Sequence, residues 1–564
     1  MNSLFLLSAL ALLLPLSLAQ QPKPNGVDSQ ELRPVQPESP IFTDRFERNC
    51  SLDFRTFDGT CTSIGPPLHR LWGSTNRPQF SYFTGRDTRI PRGADLPSAR
   101  RISNAVHSSS SDVFDKRNLN EITTFFGQFI DHSIVATPLN KSEPLHIDVD
   151  EDDPIFANVT ANGDRGKLLF FRSSRVRVRE LNNEQRPQNS LPSALDLVSV
   201  YGPSEERARF LRTRKGGLMK TSRKNMLPLN TNFNNAPRVG PEFFLAGDHR
   251  ANEHPALTAI HTIFVREHNS IARELKSAFP TMQDEELFQM ARKINIAEFQ
   301  KIVFEEWYPS ITGSKLPRYK GFKRNVDPTV SLIFSTAAFR VGHTMVGLRV
   351  NRASKGNKRL TPFDLKSMFF RGANVVRRNG IDVFLRGAII NRAQRIDVEV
   401  RDSLRNFLFT RIEEEEGIDL IALNIQRGRD HALPSFNAIR ERFKIGKAVR
   451  YSQITKNRAV QAKLQSVYSS VSRLEAWPGL VAEDPAPGSS MGRTMLAVWK
   501  AEFRRLRDGD RFFYQVGGLF PMQIMDKIPR VRALFTKEDT FRAIILRNSG
   551  IKPADLTRKM FFVK

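Results

Sequence analysis

Cysteine is almost absent from this chain of 564 residues. Only Cys50 and Cys61 occur, so the chain cannot supply the thiolates of an iron–sulfur cluster or of a cysteine-rich zinc site. In an oxidising compartment this pair would form a disulfide that closes a short local loop. The alternative is a pair of free thiols.

Long apolar runs are missing after residue 18. The run from Leu4 to Leu18 is too short to span a bilayer as a helix, and it ends among the small residues that precede Gln20. We therefore expect residues 1–19 to be a secretory signal peptide, although the usual positively charged side chains at its start are missing. The mature protein is expected to be secreted and extracellular, with no membrane span.

The remaining chain has one stretch of low-complexity composition. Residues 20–42 are rich in Pro, Gln and Ser, which predicts a flexible lead-in. No comparable linker and no internal repeat follows, so residues 43–564 are predicted to form one large domain. Three Asn-x-Ser/Thr tripeptides are candidate glycosylation sites of a secreted protein, at Asn49, Asn140 and Asn158.

Acidic residues are outnumbered, because 86 Lys and Arg against 59 Asp and Glu give a formal net charge of +27. The positive charges occur in short groups along the chain, and neither a focused patch nor a nucleic-acid-binding module is evident. Nucleic acid is therefore not an expected partner. Charge spread in this way favours anionic glycans, matrix surfaces or small anions, and the alternative is a merely solvated basic surface.

Apolar residues recur mostly at helical spacing, which predicts a mainly α-helical domain. Alternating patterns typical of strands are short, the best being Ile381 to Phe384 and Ile396 to Val400. The stretches predicted as helices include residues 257–275, 284–304 and 330–346.

Polar side chains interrupt the apolar segment from residue 125 to residue 133. On a helix, Gln128 and His132 share a face, and Asp131 lies beside His132. One helix would therefore present an amide, a carboxylate and an imidazole to one cavity. Taken alone, the segment fits a buried structural histidine better than a catalytic one.

A second histidine, His343, ends a run of small residues that starts at Ala337. Small neighbours allow a flat cofactor to approach the backbone, and an imidazole presented in this way is the usual axial ligand of haem iron. The amide of Asn424 could accept the imidazole Nδ1–H, Arg427 could neutralise a haem propionate, and Arg250 could supply a cation to the opposite face. Each residue also has an ordinary structural explanation.

Four motifs in sequence order resemble those of the animal haem peroxidases, and further matching runs extend this resemblance from about residue 46 to the C-terminus. The resemblance implies a helical fold with haem b buried between a distal and a proximal helix. The motifs are Gly127-Gln128-x-x-Asp131-His132, Ala246-Gly247-Asp248-x-Arg250-x-x-Glu253, Ala338-Phe339-Arg340-x-Gly342-His343-Thr344 and Ala422-Leu423-Asn424-x-Gln426-Arg427-x-Arg429-Asp430-His431.

The resemblance implies roles on the distal side. His132 would be the acid–base group that takes a proton from hydrogen peroxide and returns it to the leaving oxygen. Arg250 would stabilise charge as the O–O bond breaks, and Gln128 would orient water or halide. Asp131 and Glu253 stand where the family forms ester bonds to haem, so a covalently held haem is expected.

On the proximal side, the resemblance makes His343 the axial ligand of the haem iron. Asn424 would be the hydrogen-bond partner of that ligand. Arg340 and Arg427 would contact the haem propionates.

Two departures from the family pattern matter. His254 follows Glu253 where the family's sulfonium-forming methionine would stand, so that link and strong chloride oxidation are not expected. The family's calcium ligands fall on Ser133, Asp196 and three apolar positions, Pro192, Ala194 and Val198. Calcium prefers several hard oxygen ligands, so a retained site is not expected and Asp196 is predicted to be structural.

The leading hypothesis is a secreted haem peroxidase that oxidises small donors, such as halides, thiocyanate or phenols, with hydrogen peroxide. The related fatty-acid oxygenases need a tyrosine shortly before the proximal histidine, where this chain has Phe339 to Gly342. A non-enzymatic matrix or adhesion protein that keeps the peroxidase fold is the alternative, favoured by the basic surface and the expected secretion.

Overall fold

A computed structural model describes residues 50, 53–63, 72–83, 88–161, 163–178, 184–231, 233–236, 238–407, 417–537 and 539–563. The predicted signal peptide, the lead-in and Asn49 lie outside these ranges. The Cys50–Cys61 disulfide is present, as predicted. Within the described ranges, no helix has both the length and the apolar composition that a membrane crossing needs.

Helices account for 44% of the protein and strands for 13%, which confirms the mainly α-helical prediction. The α-helices are α1 Ala99–His107, α2 Glu121–Ile134, α3 Val198–Tyr201, α4 Glu205–Leu211, α5 Pro255–Ala278, α6 Asp284–Lys301, α7 Tyr308–Thr312, α8 Leu332–Thr336, α9 Gly372–Asn379, α10 Ile381–Ile390, α11 Asp402–Arg405, α12 Leu420–Asp430, α13 Phe436–Arg442, α14 Arg458–Gln465, α15 Ala476–Ala482, α16 Arg493–Asp508, α17 Met522–Lys527, α18 Pro529–Thr536 and α19 Thr540–Asn548.

Several helices have other turn types at their ends. A π-helical segment, Ile302–Trp307, continues α6, and a 3₁₀ helix, Ala338–Thr344, follows α8. Shorter 3₁₀ turns lie at Arg223–Asn225, Lys355–Asn357, Leu365–Ser367, Tyr451–Gln453, Val471–Arg473 and Pro553–Asp555.

The strands are short and peripheral. One sheet has three strands in the order β1-β10-β9, all antiparallel, with Arg77 opposite Asn189. The other strands pair in twos. The strands are β1 Arg77–Pro78, β2 Ser108–Ser109, β3 Leu139–Pro144, β4 Ile147–Asp148, β5 Thr160–Ala161, β6 Asp164–Arg165, β7 Lys167–Leu168, β8 Phe171–Ser173, β9 Arg175–Val178, β10 Glu184–Asn189, β11 Arg349–Ala353, β12 Arg359–Asp364 and β13 Val400–Arg401.

The core is built largely on phenylalanine rings. On α2, Phe129 stacks on Phe264 of α5 with ring centroids 5.2 Å apart, and Phe126 packs against Phe299 and Phe541. These side chains are buried, and full burial of a phenylalanine side chain contributes roughly 1.5–3 kcal/mol. The packing fixes α2 against α5 and thereby sets the position of the polar residues on α2.

Three secondary-structure predictions are wrong. Residues 381–384 lie in α10, where Ile381, Phe384 and Leu385 are buried at helical spacing rather than at the period of two that a strand requires. Of the second predicted strand, only Val400 lies in β13. Residues 330–346 do not form one helix either, because the non-helical backbone of Ala337 separates α8 from the 3₁₀ helix.

Candidate functional site

A cavity lies between α2 and the 3₁₀ helix Ala338–Thr344. Gln128 and Asp131 line one wall, Glu253 lies at the turn before α5, and Arg340 and His343 line the opposite wall. Residues from three of the four sequence motifs therefore line one cavity.

The polar side chains of α2 have different surroundings. Gln128 and Asp131 reach the cavity, whereas His132 is fully buried beside it and contacts Asp248 of the turn before α5. Gly127 allows this arrangement because a Cβ at that position would lie 3.0 Å from the ring of Trp307, which also lines the cavity.

Arg250 is held by Asp248. Its backbone N–H and its Nε both donate to Asp248 Oδ1, at 2.8 and 2.9 Å, and its Nη2 donates to Oδ2 at 2.8 Å. Nη2 also donates to the carbonyl oxygen of Val135, and Nη1 is 4.0 Å from Asp131 Oδ2. Burial opposes the charged guanidinium, but Asp248 outweighs it, so the pKa of Arg250 is raised and the cation persists.

His132 is electrically neutral at pH 7. Burial and the nearby Arg250 cation lower its pKa well below the ordinary value, and the Asp248 carboxylate only partly opposes them. Its Nδ1 lies 3.4 Å from Asp248 Oδ1. Neither ring nitrogen has a hydrogen-bond partner within the described part of the chain. A neutral imidazole of this kind can accept a proton from a ligand.

The two carboxyl groups of the cavity resist ionisation. Burial raises the pKa of Asp131 to about 7, although Arg250 and Arg340 act against it. Burial also raises the pKa of Glu253 well above its usual range, and Glu253 Oε2 lacks a hydrogen-bond partner among the described residues. Buried polar atoms are rarely left unpaired, so this oxygen indicates a ligand position.

His254 lines the cavity as a neutral ring. Its Nδ1 accepts the Ala256 N–H at 3.1 Å and caps α5, and its ring stacks on Phe125 with centroids 3.9 Å apart. Burial lowers its pKa to about 3. The sequence showed only that a histidine replaces a methionine here, and its contact with α2 could not be read from spacing.

On the opposite wall, His343 is joined to Asn424 of α12. The Asn424 amide nitrogen lies 2.7 Å from His343 Nδ1, and Asn424 Oδ1 accepts a hydrogen bond of 3.0 Å from Arg340 Nη1. Asp419 positions this part of α12 by accepting the N–H groups of Ile421 and Ala422. A Cβ at Gly342 would meet open space, which leaves the backbone beside His343 accessible to a flat group.

Arg427 lies away from the cavity lining. Its Nη1 donates to Ser173 Oγ and Asp430 Oδ2, and the guanidinium lies over the ring of Phe170. Arg340 is the arginine that lines the cavity. Burial, followed by Arg427, lowers the pKa of Arg340 to about 10, which leaves it charged at neutral pH.

Much of the lining is apolar, and the sequence motifs did not identify it. Its rings come from five separate parts of the chain, which no local pattern brings together. They are Phe125, Trp307, Phe339, Phe369 and Trp499.

The residues at the expected calcium position do not fit that ion. Ser133 Oγ donates to the Phe129 carbonyl oxygen and lies 2.9 Å from Ser199 Oγ. Asp196 is a single buried carboxyl group beside Arg55 and Arg292, and burial raises its pKa to about 7. Across the described ranges, no group of three His, Cys, Asp or Glu side chains could hold a metal ion. Calcium requires more oxygen ligands than this.

Haem, in contrast, fits the cavity. The unpaired nitrogens of His132, the unpaired Glu253 Oε2, the open space at Gly342 and the His343 imidazole all lie at or beside one enclosure with apolar walls. An imidazole ligand, cations for propionates and a dry apolar lining are what a haem site requires.

Comparisons with known proteins agree with this arrangement. The sequence model of the animal haem peroxidases matches residues 54–561. Peroxinectin A of Dictyostelium discoideum is 33% identical over 499 residues, which cover 84% of this chain and 91% of that protein. The human peroxidasin homolog is 31% identical over 562 residues, which cover 88% of this chain but only 38% of that protein.

A solved structure shares the fold. Peroxidase A of D. discoideum matches with a TM-score of 0.80 and 28% identity, and the match covers 90% of this chain and 99% of that chain. The chain therefore belongs to the animal haem peroxidase family, and it is a haem-dependent peroxidase.

Proposed function

We propose that this peroxidase reduces hydrogen peroxide with the help of His132 and Arg250, which lie beside the cavity, and oxidises small donors in that cavity. The observation that supports this proposal is a neutral, buried His132 beside a cationic Arg250. Both side chains have nitrogens without a hydrogen-bond partner in the described structure. Bound haem supplies the redox chemistry at its iron.

The protein's own groups perform the proton transfer. His132 would accept a proton from one oxygen of hydrogen peroxide and return it to the other, which would leave as water with two electrons supplied by bound haem. Arg250 Nη1 stabilises the negative charge that develops as the O–O bond lengthens, and the low polarity of the site strengthens this interaction. Gln128 orients water or a donor from the same helix face.

His343 is proposed to ligate the iron through Nε2. This requires a proton on Nδ1, and therefore the Asn424 oxygen, rather than its nitrogen, towards the ring. A half-turn of the amide exchanges the two atoms. After this half-turn, Asn424 no longer accepts the hydrogen bond from Arg340, and the Arg340 guanidinium is free to bind an anionic group such as a propionate.

Asp131 and Glu253 are proposed to form ester bonds to haem methyl groups, each bond replacing one methyl C–H and one carboxyl O–H in a two-electron oxidation by hydrogen peroxide, which is reduced to two water molecules. Both line the cavity, and both have raised pKa values. No sulfonium link is proposed, because His254 occupies the next position. We accordingly propose iodide, bromide, thiocyanate or phenols as donors, and we expect little oxidation of chloride.

These proposals can be tested on the purified protein loaded with haem. Its absorption spectrum should shift on addition of peroxide, and it should then oxidise iodide or thiocyanate much faster than chloride. Acid–acetone extraction should leave haem attached to peptides that contain Asp131 and Glu253. A spectrum unaffected by peroxide contradicts the catalytic proposal, and freely extracted haem contradicts the esters alone.

We further propose that the protein is secreted, with glycans at Asn140 and Asn158. Asn158 is exposed and Asn140 is partly exposed. The Cys50–Cys61 disulfide supports an oxidising compartment.

A basic depression supports binding of anionic glycans. It is lined by Arg223, Lys224, Arg377 and Arg378, together with Asn374 and Met226. All four cations are exposed, and none forms an ion pair within the described ranges. Their mutual repulsion would be relieved by a polyanion, so we propose sulfated glycan as the partner of this surface.

Replacing Arg377 and Arg378 by glutamine should weaken binding to heparin. The dependence of the binding constant on salt should become shallower by about one unit for each lost contact. Lys456→Gln with Arg458→Gln removes the same charge from two exposed side chains elsewhere and serves as the control. Equal weakening in both double variants would show that net charge alone governs binding.

A further inference from the structure

Asp248 contacts both His132 and Arg250, the two residues proposed to act on hydrogen peroxide. Its Oδ1 accepts the Arg250 N–H and Nε and lies 3.4 Å from His132 Nδ1, while its Oδ2 accepts Arg250 Nη2. We propose that Asp248 is a positioning residue that holds Arg250 and keeps the single proton of neutral His132 on Nδ1. This inference rests on the proposed roles of His132 and Arg250.

The proton assignment follows from the chemistry of the two groups. Burial opposes the charged form of Asp248, but Arg250 outweighs it and keeps the pKa of Asp248 below its usual range, so Asp248 is a carboxylate. A carboxylate attracts an N–H and repels a nitrogen lone pair, so the ring nitrogen that faces it at 3.4 Å is the one that carries the proton, although the two atoms are not hydrogen-bonded in this structure. A neutral imidazole has one N–H, so Nε2 of His132 keeps its lone pair and can receive the proton of a peroxide.

The carboxylate also determines the basicity of His132. Burial lowers the pKa of His132 most, Arg250, His261 and His249 lower it further, and Asp248 raises it. His249 lies on the outer side of Asp248, with Nδ1 3.8 Å from Oδ2 and its side chain one-fifth exposed. Without Asp248, His132 would face only groups that make it a weaker base.

The turn that carries Asp248 cannot shift easily. A Cβ at Gly247 would lie 2.0 Å from the Val198 carbonyl oxygen, so only glycine fits where the turn meets α3. The Asp248 N–H points to the Ser199 carbonyl oxygen at 3.4 Å. Anchored in this way, the carboxylate presents its two oxygens to Arg250 in a fixed geometry, and a preformed site needs no reorganisation during the reaction.

Two variants, Asp248→Asn and Asp248→Ala, test the proposal. The reaction of each haem-loaded variant with peroxide should slow about 10–100-fold, as is typical when the partner of an active-site group is lost. The acid limb of the rate–pH profile should move to lower pH, because the charge that raises the pKa of His132 is gone. A folded variant that keeps the wild-type rate and acid limb overturns the proposal.

A second measurement needs no haem and no turnover. In haem-free protein labelled with ¹⁵N-histidine, the His132 signal, assigned by its loss in His132→Ala, should report Nδ1–H in the wild type. Asp248→Ala should lose that preference, and an unchanged tautomer in this variant overturns the assignment. Asp248→Asn, which keeps an acceptor oxygen, provides the rate and pH data if the alanine variant does not fold.

Asp510→Asn is the matched control. Asp510 is a buried carboxylate that is ion-paired to Arg55, and it does not line the cavity. Its loss should lower stability without moving the acid limb or the His132 tautomer. If His132→Ala keeps full turnover, the catalytic role of His132 fails, while the tautomer measurement still decides the contact with Asp248.

Discussion

Replacing His132 by alanine is expected to slow the reaction of the haem-loaded protein with peroxide about 100- to 10,000-fold, the usual contribution of a positioned acid–base group. The wild-type rate should be nearly constant around neutral pH and fall only in acid, because burial and Arg250 hold the pKa of His132 well below its ordinary value. Stopped-flow absorption of haem, recorded between acid and neutral pH, measures both effects.

A buried histidine outside the cavity provides the comparison. On α5, Nδ1 of His268 lies 2.9 Å from the Tyr201 hydroxyl oxygen, and its Nε2 lies 2.8 Å from the Gly217 carbonyl oxygen. His268 does not line the cavity. His268→Gln should lose stability while keeping the peroxide rate. Equal rate losses in the His132 and His268 variants would indicate a general disturbance of α2 and α5, and would contradict a specific role for His132.

Replacing His343 by alanine should remove the proposed iron ligand and abolish the normal haem spectrum. Asn424→Ala should cause a smaller loss, about 10–100-fold in haem affinity, because the amide only orients the ligand. Titration of haem-free protein with haem, followed by absorption, gives both affinities without any assay of turnover.

His107→Gln controls for the loss of a buried imidazole. His107 is fully buried, and its Nδ1 lies 2.7 Å from the Val398 carbonyl oxygen. This variant should bind haem normally. Normal haem affinity and a normal spectrum in His343→Ala would show that another residue ligates the iron.

The sequence could predict which residues belong to the site better than it could predict which of them line the cavity and which lie behind the lining. Helical spacing predicted that Gln128, Asp131 and His132 face one cavity, which is right for Gln128 and Asp131 and wrong for His132. The motifs supplied His343 and Asn424, which lie in contact, and their roles stay predictions. Spacing could not show that His132 is behind the cavity lining, because that depends on how α2 packs against α5. Nor could it reveal the role of Asp248, whose importance lies in one contact across a long stretch of chain.

Prediction from the apolar pattern also failed where the helical backbone is interrupted. Residues 330–346 are apolar enough to predict one helix, yet the conformation of Ala337 divides them, and the 3₁₀ geometry that follows determines how His343 meets the cavity. Four residues from Ile381 to Phe384 were too few to distinguish a strand from a helix, since short apolar runs fit both periods.

The stack of His254 on Phe125 joins two parts of the molecule that are distant in sequence. The same ring caps α5, and loss of a helix cap costs about 1 kcal/mol. One side chain therefore both lines the cavity and stabilises the start of α5. A substitution at position 254 would change the shape of the cavity and loosen the start of α5 together.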